Sequence, residues 1–154
     1  ITTNDDYYTK FVADNAVSGR GYWAETVSPL VSPGLVTSTM PHELINTALN
    51  TFIFKQIDYS EREVGDEYSN SDPSFIGHKI EGGFFHNNRL GFLSKDNVSM
   101  SRSGNYYNFF FETAQATLDS DPIDISCSSV VPTNLYSVLP TAQGIILFSA
   151  RQQF

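Results

Sequence analysis

The densest acidic stretch of the chain is Asp119-Ser120-Asp121-Pro122-Ile123-Asp124. Alternating aspartates are the raw material of a calcium loop, but such a loop needs a glycine at its sharp turn and a closing glutamate, and neither is found here. An Asp-Pro turn opening a strand over residues 123–127 accounts for the same residues. A second acidic group, Glu61, Glu63, Asp66 and Glu67, offers carboxylates for a glycosidase pair, yet nothing sets two of them at a catalytic separation. The more economical reading is a solvated loop over residues 58–72. His42, His78 and His86 stand 36 and 8 residues apart, which matches no metal motif. The one cysteine, Cys127, has no nearby histidine to activate it and reads as a small apolar residue. Gly82-Gly83 and Gly19-Arg20-Gly21 lack the preceding strand and following helix of a phosphate loop. Asn97-Val98-Ser99 is a glycosylation triplet of a kind that arises often by chance. No enzyme signature, cofactor motif or metal motif emerges.

The elements that must carry these residues are short. Residues 7–13 and 22–27 are β-type runs separated by a glycine turn at 19–21. Residues 28–41 hold Pro29, Pro33, Gly34 and Pro41 and predict an irregular connection. Residues 42–48 read as a helical turn or a strand, and 51–55 as a strand. The clearest organisation lies between residues 83 and 111. Asn87-Asn88, two residues that tolerate positive φ, predict a tight turn between a strand at 84–86 and a strand at 89–94. Turns at 95–97 and 103–105 then predict strands at 98–102 and 106–111. The expected unit is a four-stranded antiparallel meander with Leu90, Phe92, Val98, Met100 and Phe109 as core residues, like a propeller blade or half a sandwich. Arg89 and Arg102 flank one of its turns and are expected to pair with Asp121 or Asp124. Leu90-Gly91-Phe92-Leu93-Ser94 is echoed 55 residues later by Ile145-Ile146-Leu147-Phe148-Ser149, near the spacing of kelch-type blades.

Composition agrees with a packed, mainly β chain. The 154 residues are 40% hydrophobic and only 17% charged, with 12 Phe and 8 Tyr, the reverse of a disordered sequence. Nine Lys and Arg against 17 Asp and Glu give a net charge of −8. That balance excludes gripping nucleic acid through a basic face, though not surrounding a nucleic acid that must slide. One cysteine excludes an internal disulfide and a multi-cysteine zinc site. No apolar run reaches membrane-spanning length. Ile1-Thr2-Thr3-Asn4-Asp5-Asp6 is not a targeting sequence, and the chain stops on Phe154 just after an apolar strand. The expectation is an internal fragment of a longer protein: a strand and loop region at 1–72, then a meander region at 73–154 with a blade at about 83–111 and the start of a following blade.

Taken together, residues 72–124 resemble one family. The matching stretches are Asp72-Pro73-Ser74-Phe75-Ile76-Gly77, Phe84-Phe85, Asn88-Arg89-Leu90-Gly91-Phe92-Leu93-Ser94, Asn97-Val98, Met100-Ser101-Arg102 with Gly104, Asn108-Phe109-Phe110 and Asp121-Pro122-Ile123-Asp124. Upstream, Tyr22-Trp23-Ala24-Glu25-Thr26-Val27, Ser38-Thr39-Met40-Pro41-His42 and Arg62-Glu63-Val64-Gly65-Asp66 fit in the same order. The family is tail tubular protein B, the nozzle proteins of short-tailed (podovirus-type) bacteriophages, and the likeness runs over roughly residues 7–154. Gly82-Gly83 departs from it, standing where bulkier residues are expected.

What the resemblance implies is a structural virion protein of the phage tail, assembled in the host cytoplasm. Six copies would form a tapering tube for genome ejection, next to an adaptor ring and tail fibres. It also implies propeller-like domains, double-stranded DNA passing without being held, and no catalytic residues, cofactor, metal or small-molecule substrate. Glu61, Glu63, Asp66 and Glu67 are then candidates to face the lumen, since like charge keeps a polyanion sliding. The alternative is a glycan-binding β-domain of a tail fibre or lectin, with Trp23 and exposed tyrosines stacking on sugars beside carboxylates. A tail-spike enzyme with two facing carboxylates is a third reading.

Overall fold

A computed structural model describes residues 7–131 and 133–154. The opening Ile1–Asp6, read above as no targeting sequence, lies outside the described residues. The fold is mainly β, with ten strands among those residues: β1 (Tyr8–Ala13), β2 (Gly21–Thr26), β3 (His42–Ala48), β4 (Thr51–Gln56), β5 (Gly82–His86), β6 (Arg89–Ser94), β7 (Asn97–Met100), β8 (Ile123–Ser126), β9 (Leu135–Thr141) and β10 (Gly144–Ser149). β1–β2, β3–β4 and β9–β10 are two-stranded antiparallel ribbons, and β5-β6-β7-β8 is a four-stranded antiparallel sheet in sequence order. The residues at 42–48 are thus a strand. No helix among the described residues is long and apolar enough to cross a membrane.

The sheet is a meander because its first two links are tight turns. Asn87 and Asn88 both take positive φ, 46° and 59°, which matches the twist of the strands they join. Lys95, at φ 53°, turns β6 into β7. The fourth strand is not the expected one. Residues 106–111 are irregular, and β8 at Ile123–Ser126, opened by Asp121-Pro122, pairs with β7 instead. Phe109 and Phe110 are neighbours in sequence and both are buried. Phe109 packs in the core cluster while Phe110 lies under the Arg62 guanidinium. The chain there is shaped to fill space on two sides rather than to extend a ladder.

Every residue of β6 is buried, so the sheet is covered on both faces at its centre, whereas β8 at its edge is exposed throughout. Alternation sends Leu90 and Phe92 to one face and Arg89, Gly91 and Leu93 to the other. The first face meets Met40, Ile57, Tyr59, Phe75 and Phe109, so one core spans residues on both sides of position 72. Phe92 stacks on Phe109, and Phe75 stands edge-on to both. The second face carries Phe84, Leu93, Val98 and Met100, and the β9–β10 ribbon closes it with Leu135 and Leu147. Each such side chain, fully buried, contributes roughly 1.5–3 kcal/mol. The two echoed stretches fall in β6 and β10, the strands that share this second core.

Candidate functional site

Arg89 is the hub of the sheet. Its guanidinium is buried and donates to four backbone carbonyls: Ser101 at 2.7 Å, Asp121 at 2.6 Å, Ser120 at 3.3 Å and Asp119 at 2.7 Å. It therefore takes the Asp121 carbonyl rather than its carboxylate. The Asp121 carboxylate, also buried, accepts instead from the N–H of Leu118 at 2.7 Å and of Glu112 at 3.4 Å, holding both feet of the 113–117 loop. Arg102 pairs with Glu112, not with an aspartate. Ser101 Oγ accepts from the Leu90 N–H at 3.0 Å, and the Gly104 N–H, at φ 77°, meets the Asn88 carbonyl at 2.8 Å.

Asp124 has a different task. Its carboxylate accepts from the Ser74 N–H and hydroxyl, both at 2.6 Å, and from the Ser99 hydroxyl at 3.1 Å. This fixes the Asp72-Pro73-Ser74-Phe75 segment to the sheet, with Phe75 almost wholly buried and Gly77 turning at φ 75°. Ser94 Oγ donates to the Lys79 carbonyl at 3.0 Å and holds the far end of the same segment. Asp119 is exposed, and its backbone carbonyl serves Arg89. Asp119, Asp121 and Asp124 thus act as three separate structural groups. Among the described residues no group of three or more His, Cys, Asp or Glu is placed to hold a metal.

Within the 58–72 loop, burial alternates from residue 61 to residue 64. Glu61 and Glu63 point out while Arg62 and Val64 are buried. Arg62 is 1% exposed, covers the Phe110 ring at 5.0 Å, and reaches the Ser32 carbonyl at 3.2 Å and the Asp72 carboxylate at 2.6 Å. Glu67 is exposed but Asp66 is not: its Oδ1 accepts from the N–H groups of Tyr68 at 2.9 Å and Ser69 at 3.0 Å. These bonds, the Ser69 N–H foremost, hold the carboxyl below its usual range despite burial. Asp66 is a turn residue whose Oδ1 is committed to the Tyr68 and Ser69 amides, unlike the exposed Glu61, Glu63 and Glu67. The neighbouring Gly65 has φ 76°, and a Cβ there would stand 2.6 Å from Ser69 Oγ. Asn70 bonds both the N–H and the carbonyl of Phe111, tying the acidic loop to the body.

The remaining candidates scatter. His42 stacks on Phe54 and its Nδ1 lies 2.9 Å from the Met40 carbonyl. His78 Nε2 is 3.2 Å from Lys95 Nζ, and His86 closes the β5–β6 turn opposite Arg89. Burial pushes the Cys127 thiol up, away from a nucleophile's range. Burial likewise pushes the Tyr59 hydroxyl up to about 12, and it donates to the Pro41 carbonyl at 3.3 Å. Sequence reasoning missed the bonding roles of Arg62 and Ser74, which it read only within family-like stretches, and of Ser99, which it read only within a glycosylation triplet. It also missed the exposure of the β3–β4 ribbon, where Leu44, Phe52 and Phe54 are 65%, 57% and 70% exposed. A run of uncharged residues from 44 to 54 was the available signal.

The geometry is that of a braced scaffold with an acidic loop and exposed ribbons, and comparison with known proteins agrees. The chain is 35% identical over 150 residues to tail tubular protein gp12 of Escherichia phage T7, a match covering 97% of this chain and 18% of that protein. The chain thus spans about a fifth of the length of this relative. The family described as bacteriophage nozzle protein matches residues 1–154. On that match over its whole length, the chain belongs to the bacteriophage nozzle protein family.

Proposed function

We propose that the chain is a wall segment of the conduit through which a phage genome leaves the virion. Family membership makes it part of a structural protein of the phage tail. The conduit role rests on one observation: Glu61, Glu63 and Glu67 are displayed on a loop whose buried side is braced, Arg62 to the Asp72 carboxylate, Asp66 to the Tyr68 amide and Asn70 to the Val64 carbonyl. Carboxylates held rigidly at a wall repel a passing polyanion without moving to meet it. Six copies around an axis, an adaptor above and fibres alongside complete the proposal, with no catalytic step. Within it, β5–β8 forms one propeller-like blade, and β9–β10 opens a second that shares its core.

The test is a phage carrying Glu61→Lys, Glu63→Lys and Glu67→Lys in the full-length protein. Genome release is expected to slow or stall while particles still assemble. Release at the unchanged rate overturns the lumen assignment.

One observation favours glycan binding as a second reading. Trp23 is 69% and Phe11 48% exposed, meeting edge to face at 5.6 Å, with Glu25 farther along β2. Glycan-array binding lost on Trp23→Ala would support it.

A further inference from the structure

The β3–β4 ribbon has no covered face. Its register sets Leu44 opposite Phe54 and Ile45 opposite Ile53. Adjacent residues of a strand point to opposite sides, so each side of the ribbon carries a cross-strand apolar pair. At the tip Leu49 is 91% exposed, beside Asn50 at φ 58°. A ribbon with one apolar side can lie down on its own domain. One with two apolar sides must be received by another surface, since a lone hairpin is marginal in water and bare apolar strands associate.

A receiving surface lies at the foot of the same ribbon. A groove of about 740 Å³ has Met40 and Phe75 in its lining, with Val36, Ile76 and Ile80 around them. His42, His78 and Lys79 also line it, and no carboxylate is among its described lining residues.

We propose that the ribbon tip of one copy, Leu49 with Phe52, enters this groove on a second copy of the same chain. Charge argues for that occupant. The 154-residue segment carries a net −8, yet its eleven residues from 44 to 54 carry no charge, and Glu43 and Lys55 neutralise each other at 3.0 Å. Two copies repel through their acidic surfaces, and the tip and the groove are where that repulsion is absent. Tip and groove sit at opposite ends of one element, so the contact is head to tail and propagates around an axis. The inference deepens the conduit reading and rests on it for several copies around one channel.

The test places a photo-reactive benzoylphenylalanine at Leu49 in the full-length protein and irradiates the purified assembly. The expected product is a covalent dimer on a denaturing gel, with the cross-link mapped to residues 75–80 of the second copy. Adding Ile76→Asp should lower the dimer yield at least ten-fold. Rings that form while the cross-link stays within one polypeptide, maps elsewhere or fails to appear overturn the contact and leave the conduit reading standing. Absence of rings from the unmodified protein overturns both.

Discussion

The far end of the Phe84 ring occupies the space above Gly91, its partner across β5 and β6: a Cβ at position 91 would stand 2.3 Å from the ring. The missing side chain on β6 is what admits the aromatic to the second core. Gly91→Ala should destabilise the protein by roughly 1–3 kcal/mol through overpacking. Phe84→Leu in that background should recover part of the loss. Chemical denaturation measures both; an alanine variant as stable as the parent would show that the ring moves aside at little cost.

Arg89 cannot be replaced by its nearest chemical relative. A lysine has three donors on one nitrogen and cannot span carbonyls of residues 101, 119, 120 and 121 as a planar fork does. Each buried carbonyl left without a donor costs roughly 1–3 kcal/mol. Arg89→Lys is therefore expected to shift the denaturation midpoint strongly, with detachment of the 113–122 segment visible as faster amide exchange there.

The Asp124 carboxylate and the Ser74 hydroxyl should be energetically coupled, and Asp124 and Arg89 should not. In double-mutant cycles to alanine, contacting groups in one network couple by about 0.5–3 kcal/mol. Coupling of Asp124 to Arg89 equal to that with Ser74 would contradict the arrangement at 2.6 Å seen here.

Asp66 carries an acid-sensitive share of the stability. Its folded pKa is lowered by the Ser69 and Tyr68 amides, whereas in the unfolded chain an aspartate titrates near about 3.9. The contribution is full above that unfolded value and is lost as pH falls through the lower folded one. Asp66→Asn, which keeps an acceptor oxygen but does not titrate, should narrow its stability gap to the parent as pH drops from 6 to 2.5. Parallel stability curves would rule the mechanism out.

Much of the sheet was legible in the sequence because its turns are written in residue type. Asn87-Asn88 announces the first hairpin, and the alternation around Leu90 and Phe92 sets the faces. The fourth strand was misplaced because an apolar run reads alike whether it extends a sheet or fills a gap. Only the fold shows Phe109 and Phe110 serving separate contacts. β9 carries Pro140, which discourages a strand assignment but is tolerated in a two-stranded ribbon with free edges. The Arg89 hub was invisible for another reason. Its acceptors are backbone carbonyls, which every residue has, so the sequence drew attention to the aspartate side chains instead. Asp66 looked like its acidic neighbours, and only burial separates it from them.

Because Asp121 fastens Glu112 and Leu118 at the same point, the loop between them is anchored at both feet independently of its own length. Insertions at 114–117 would then carry mainly loop entropy, about 0.6 kcal/mol for each doubling in length. The scaffold thereby contains a place where new surface can be grown by lineages that keep the same sheet.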